Sequence, residues 1–493
     1  MKGSSLKWFV LATVIVGTFL GRLDQTIVGL ALPKMIDDFG ISVSSAGWIA
    51  TAYIIANAVF VPIWGKLGDT IGRKKVYVFG FAIFIVGSIL AALSWNLSSM
   101  LVFRVIQAIA SSADYPTAMA ILAVTFTDLK SRAQALGIWS SSFAAASVFG
   151  PLIGGPLIDN LGWRSIFWVN LPIGLIGIAM ALAFINESVS EKKTFNFDWW
   201  GAAALGGALA ALVMVLDKGL DWGWLSSGSI VSYAAIIACS LAFYFIETRH
   251  PEPIVDFKFF KNSVFNNTLA NNFVIFVGLM GSIFLIPIFA QTFLGLDATE
   301  SGYLFIPMAF CLVIAAPIGA RFVGRIEPRY VLIGSTLLAG LSLFFFTWLD
   351  PRSTAWDIIW PLGIMAFSMG LGMPQRTSII ANVVPQQEIG VASSILALVR
   401  NIAGAFGIAV FSTMLQDSTY SKIVAISQNS AINSLAPADM AKAVQLMSLK
   451  AQISAYGDVF FAAAVVVAVG SIGAWWIKIR RDQAHQTAEV FVE

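Results

Sequence analysis

The stretch Gly65-Lys-Leu-Gly-Asp-Thr-Ile-Gly-Arg-Lys-Lys75 stands between two long apolar runs, and its reading decides how the chain is built. Gly65, Gly68 and Gly72 let two helices approach and turn tightly. Asp69 is suited to cap the start of a neighbouring helix, and Arg73 to bond helix-end carbonyls or a carboxylate such as Asp128. Contacts of that kind latch one conformation and break in another; the plainer role is a basic loop that only fixes orientation. Lysines beside glycines also suggest phosphate binding, but no Walker spacing follows. A worn copy, Pro317-Ile-Gly-Ala-Arg-Phe-Val-Gly-Arg-Ile-Glu-Pro-Arg329, comes later: Gly324-Arg325 matches Gly72-Arg73, and Arg321 falls where Asp69 would be. The turn from Asp128 to Gly137 is loosely echoed between Pro385 and Ser394. The pattern is that of a duplicated chain.

What surrounds these loops sets the solvent. Of 493 residues, 58% are hydrophobic and 12% charged, where a soluble protein carries about 25% charged residues. The mean hydropathy is +0.81. Soluble enzymes, disordered scaffolds, disulfide-stapled domains and nucleic-acid binders are excluded as the main reading. Cys239 and Cys311 lie inside apolar runs, so neither a disulfide framework nor metal-ligand spacing is expected. His250 and His485 are the only histidines, too few for a catalytic or metal-binding cluster.

A hydrocarbon core of ~30 Å needs roughly 20 apolar residues per helix. Runs of that length predict an all-α polytopic membrane protein with fourteen transmembrane helices, near 8–30, 45–64, 76–94, 99–124, 133–158, 165–185, 199–216, 228–247, 264–290, 302–323, 330–349, 358–384, 389–415 and 457–477. The first is too long for a signal peptide, contains Arg22 and Asp24, and lacks a small-residue cleavage site. The loop and its copy are eight spans apart. That offset gives a six-helix bundle over 1–190, a two-helix insert over 191–260, and a second six-helix bundle over 261–493 with a long extracytoplasmic loop at about 416–456. With both termini in the cytoplasm, the inner segments hold nineteen Lys and Arg and the outer ones seven, the positive-inside pattern. Parallel halves of this kind are the plan of a rocking transporter with its site near the midplane.

Charged residues within the spans are the candidates for chemistry. Asp24 lies in span one, and a carboxylate at membrane depth costs ~2.5–3.5 kcal/mol on insertion scales, so it should face a cavity or a partner. It either takes part in coupling or forms a fixed ion pair with Arg22 or Arg104. Asp114 is a second carboxylate, in span four. Arg104 precedes it by ~15 Å along the helix, too far to pair but at about the depth of Asp24. Span five carries Gly137, Ala146, Gly150, Pro151, Gly154, Gly155 and Pro156, small residues for close packing and prolines that suit a hinge.

Together these segments resemble the major facilitator superfamily, and within it the fourteen-span drug:proton antiporters of the multidrug efflux type. Gly65–Lys75 resembles the superfamily's loop signature, and Leu23 to Pro33 the first-span segment of fourteen-span exporters. Arg104 with Gln107 resembles the span-four motif, and Gly137 through Gly155 the antiporter motif. Here Ala146 replaces a glycine, Gly29 an asparagine, and Asp114 is an extra acid. The resemblance implies proton-driven efflux of amphipathic or cationic drugs, with Asp24 and Arg104 in coupling.

An inward proton releases ~2.3 kcal/mol per 100 mV and ~1.4 kcal/mol per pH unit, enough for a tenfold or larger gradient at about 1.4 kcal/mol per decade. Nothing resembles an ATP site, so the proton is the expected coupling ion and no cofactor is expected. By repeat logic spans one, four, nine and twelve line the cavity, with Tyr53, Asn57, Gln107, Asn271, Asn272, Phe276, Met365, Met369 and Arg376 as candidate contacts. Aromatics and methionines suit a loose, many-ligand pocket. The expected setting is the cell membrane, with a drug-like substrate, no nucleic acid, a monomeric state, and the 416–456 segment as the place for an envelope adaptor. A dedicated exporter of a native metabolite, siderophore or lipid, and a non-transporting sensor or scaffold, are the alternatives.

Overall fold

A computed structural model describes residues 3–126, 129–188, 198–251, 253–384, 389–428 and 437–477, and its regular elements are all helices. They divide between two compact units. Unit one comprises Met1–Val215, Ser227–Phe257 and Leu296–Ala309; unit two comprises Leu216–Ser226, Lys258–Gly295 and Phe310–Glu493.

Unit one begins with α1 (Gly3–Phe39) and α2 (Val43–Ile71), the latter opened by Ser42, whose side chain accepts from the Ser45 N–H. Gly72, at φ +114°, permits the abrupt turn into α3 (Arg73–Ala92). An Asn96–Ser99 capping box starts α4 (Leu97–Ser111). Then follow α5 (Asp114–Thr125), α6 (Leu129–Leu161), α7 (Ser165–Trp168), α8 (Asn170–Phe184), and the hairpin α9 (Trp199–Trp222) and α10 (Ser227–Glu247). Helix α1 packs against α5, α6 and α8, α3 against α4 and α8, and α2 against α4. Val14, Leu20, Tyr77, Phe81, Leu122 and Trp139 belong to one buried cluster.

Unit two holds α11 (Ser263–Phe293), whose first N–H groups are capped by Asn262. Beyond the short α12 (Ala298–Tyr303), placed with unit one together with the first turn of α13, run α13 (Ile306–Phe322), α14 (Pro328–Phe345), α15 (Ala355–Val383), α16 (Ile389–Gln428) and α17 (Pro437–Gly473). Helix α11 packs on α16, and α14 packs on α15 and α17. Lipid supplies no hydrophobic drive between helices, so contact depends on small residues that let backbones approach. At Gly407 a Cβ would meet the Val277 backbone, and at Gly87 it would lie 2.9 Å from the Gln107 backbone.

Apolar side chains also face outward, among them Val231, Ile237 and Leu241 on α10 and Val469 and Ile472 on α17. A water-facing surface rarely carries such bands, and a multi-pass membrane protein must. Twelve helices among the described residues are long and apolar enough to cross a membrane, against fourteen expected. The difference falls on spans four and five. Pro116 has no N–H for the Ser112 carbonyl, so the chain turns at Ser112–Ala113 and leaves α4 with 15 residues and α5 with 12. Helix α6 is 33 residues long, but many of its side chains lie outside the described residues, so span five is not part of that count.

Two expectations about organisation change. The segment 416–456 is helix rather than loop over most of its length: α16 runs on to Gln428 and α17 starts at Pro437. Residues 416–428 contain no glycine or proline to stop a helix. Lys422 and Asp458, 2.8 Å apart, tie the α16 extension to α17. The hairpin expected as a separate insert is shared between units. Ala202 of α9 packs on Val59 and Ile63 of α2. The tip, Leu216–Ser226, groups with unit two, where Thr413 Oγ1 donates to the Leu216 carbonyl at 2.8 Å.

Substituting Gly407 by valine should force α11 and α16 apart at a cost of ~1–3 kcal/mol. Gly334, with nothing within 4 Å of its Cβ position, should accept alanine without loss. Thermal unfolding of the two variants in detergent measures the contrast, and equal midpoints would refute the close-packing argument.

Candidate functional site

Asp24 is buried in unit one, 1% exposed, and fully engaged. Arg104 Nη1 donates to its Oδ2 at 2.5 Å; Gln107 Nε2 and Asn170 Nδ2 donate to its Oδ1, each at 2.9 Å. The same two amides donate to Ser88 Oγ, at 2.7 and 2.8 Å, and so bring α3 into the network. The guanidinium of Arg104 lies 4.1 Å from the Tyr53 ring centroid, a cation–π contact on its open face. Two buried charges in one salt bridge are expensive to desolvate, but losing one partner is worse, because the other is then left uncompensated. Arg104 and Gln107 one turn apart on α4 were legible as a motif; Asn170 and Ser88 were not, since nothing in their local sequence marks a polar contact.

Asp114 is placed differently. It is the first residue of α5, where the helix dipole favours negative charge. Its Oδ2 accepts from Thr18 Oγ1 at 2.8 Å, and Trp139 Nε1 donates to the same hydroxyl at 2.8 Å. Its Oδ1 is buried with no hydrogen-bond partner among the described residues. Asp114 lines a cavity of about 20 Å³ with Gly17, Gly21, Tyr77, Gly80 and Ser111. That is room for one water, which needs roughly 10–15 Å³. Beside it, Tyr53 Oη and Asn57 Nδ2 both donate to Ser111 Oγ, at 2.6 and 3.0 Å.

The candidate contacts in unit two separate into small groups. Arg376 is 1% exposed and donates from Nε to Asn271 Oδ1 at 3.0 Å, while Asn271 Nδ2 donates to Thr336 Oγ1 at 2.8 Å. Asn272 donates to the Leu396 carbonyl at 3.3 Å. Phe276 lies under Arg400, 5.7 Å from the guanidinium. Met365 and Met369 line a cavity of about 10 Å³ with Ser368. The structure thus joins Asn271 to Arg376 and Met365 to Met369, and leaves Asn272 and Phe276 apart from them.

Asp128 lies outside the described residues, and of Gly65 and Asp69 on α2 and Gly137 and Pro151 on α6 only the helical backbone is described. Glu187, missed from sequence, caps α3: its oxygens accept from the Lys74 and Lys75 N–H groups at 3.0 and 3.2 Å. The Arg73 N–H donates to the Ser188 carbonyl at 3.1 Å. A Cβ on Gly72 would lie 2.5 Å from the Glu187 carboxylate, so this glycine meets both the positive φ and the carboxylate's approach.

The model of the Major Facilitator Superfamily matches residues 14–408. The chain belongs to that superfamily. It is 32% identical over 415 residues to the multidrug transporter protein MdtP of Bacillus subtilis (strain 168), covering 83% of this chain and 76% of that one. It is 28% identical over 422 residues to the riboflavin transporter RibZ of Clostridioides difficile (strain 630), covering 84% and 90%. Among solved structures, a bacterial homolog of the human lysosomal transporter Spinster, inward-facing and unoccupied, aligns with a TM-score of 0.66 at 17% identity, over 96% of this chain and 99% of that chain. That likeness supports the fold alone.

In this facilitator the span-five motif is a packing surface. A Cβ on Gly150 would strike Thr26, and one on Gly154 would lie 2.9 Å from Ile27, so α6 presses on α1 just beyond Asp24. Ala146 is fully buried. Gly155 leaves room for the Thr299 backbone at the start of α12. One turn on, Asp159 accepts the Ala298 and Thr299 N–H groups at 3.2 and 2.9 Å. Helix α6 is continuous through Pro151 and Pro156.

Replacing Arg104 by methionine should strand the Asp24 charge and destabilise the protein by about 3–5 kcal/mol. The double variant Asp24→Asn/Arg104→Met should lose less than the single one. Thermal unfolding of the set in detergent reads the difference, and additive losses would disprove the pairing.

Proposed function

We propose that this facilitator is a secondary active exporter of amphipathic, drug-like molecules, driven by inward protons and working by alternating access. The observation that carries the reading is the contrast between its two intramembrane carboxylates. Asp24 has each oxygen bonded, whereas Asp114 keeps Oδ1 without a partner beside a water-sized cavity. Asp114 therefore takes up and releases the proton, and Asp24 with Arg104 responds to it.

Helix α1 connects the two. Thr18, bonded to Asp114, and Asp24, bonded to Arg104, are six residues apart on it, ~9 Å along the axis. Neutralising Asp114 weakens its charge-assisted bond to Thr18 and frees that end of α1 from α5. A shift of α1 then strains the Asp24 pair on α4. Burial without compensation is costly for either member, which couples the proton to the helix movement. The excess of Lys and Arg in alternate loops supports cytoplasmic termini in the cell membrane. The extensions of α16 and α17 are where an envelope adaptor would dock, and a monomer suffices for this cycle.

The likeness to a riboflavin transporter favours a second reading, in which the cargo is one native metabolite. A substrate screen in everted vesicles separates the two. For the coupling itself, purified protein in weakly buffered detergent should release protons when drug is added. Asp114→Asn should abolish that release while retaining drug binding. Undiminished release from Asp114→Asn would overturn the assignment.

A further inference from the structure

The most unusual charge in unit two is Arg376. It is 1% exposed, and an arginine stays ionised inside a protein. Arg104 in the other unit has Asp24; Arg376 makes no ion pair among the described residues. Only its Nε has a partner, Asn271, and that amide is held in turn by Thr336. Nη1 and Nη2 are both buried without a hydrogen-bond partner. These two nitrogens are the edge of the fork with which a guanidinium grips a carboxylate through parallel bonds.

The guanidinium is seated against bare backbone. A Cβ added at Gly372, one turn earlier on α15, would lie 2.8 Å from Arg376 Nη1 and 2.8 Å from Ser335 Oγ of α14. The absent side chain thus lets the guanidinium and the Ser335 hydroxyl close on the α15 backbone at one point. A purely structural arginine would be paired, since a buried lone charge costs several kcal/mol, and charges within membrane spans mark substrate or ion pathways.

We infer that the unpartnered Nη1–Nη2 edge of Arg376, seated beside Ser335 and Gly372, binds an oxyanion carried by an amphipathic substrate, a carboxylate being the best match to the fork. This rests on the export reading and narrows its cargo: a fixed buried cation repels cationic drugs and favours amphiphiles with an anionic group.

The test uses the full-length purified transporter in detergent at pH 8, with pyrenebutyrate as probe and its methyl ester as the neutral twin, followed by fluorescence anisotropy. The acid should bind roughly tenfold to a hundredfold more tightly than the ester, the factor expected for hydrogen bonds to a charged group. Arg376→Gln should erase that preference and Arg376→Lys should keep part of it. Gly372→Ala, which pushes the guanidinium out of place and keeps its charge, should weaken the acid and spare the ester. If Arg376→Gln does not fold, the alanine variant decides. Equal affinity for acid and ester, or a preference that survives both Arg376→Gln and Gly372→Ala, overturns the proposal. Displacement of the acid by equimolar chloride or phosphate also overturns it, since the site then takes free inorganic anions. Binding needs no proton, so a protein that prefers the acid but releases no protons on drug addition keeps this site and loses the antiport.

Discussion

A charge held in hydrocarbon has to be answered by its neighbours, and the arrangement of unit one follows from that constraint. Asp24 on α1 is answered by Arg104 and Gln107 on α4 and by Asn170 on α8, with Ser88 on α3 sharing the two amides. Four helices are thereby held in one register. Apolar packing alone would leave them free to slide, because lipid tails are as apolar as the side chains they would replace. Unit two answers its own buried charge with one asparagine and leaves two guanidinium nitrogens open. The two units share a plan and differ in electrostatics.

Backbone irregularity is placed where the chemistry is. Pro116 interrupts what would be one long helix, and the turn it forces makes Asp114 the first residue of α5 instead of a mid-helix residue. Gly72 turns the chain at φ +114°, where it receives Glu187. Gly155 admits the start of α12, whose N–H groups Asp159 then caps. In each case a small or imino residue frees the backbone close to an acid.

The superfamily fold supports many cargoes, so the fold does not select the substrate. Selection belongs to the few polar groups that face open space. On the proposed reading Asp114 in unit one serves the proton and the Arg376 edge in unit two serves an anion.

Much of this was legible in the residues themselves. Long apolar runs require helices, because only hydrogen bonds closed within the segment satisfy a backbone in lipid. The duplicated Gly–Arg loops marked two halves, and Asp24, Arg104 and Asp114 stood out because charge at such depth needs a reason. Tertiary structure decided the partners. Ser88, Asn170, Thr18 and Glu187 are ordinary polar residues in sequence, and their roles come from helices that meet across distances no local pattern encodes. It also decided that 416–428 and 437–456 are helix, since polar composition ends a membrane crossing but does not end a helix that lacks glycine and proline. And it decided that Arg104 is paired and that Arg376 has no ion-pair partner among the described residues: composition counts charges, but only packing determines which of them are compensated.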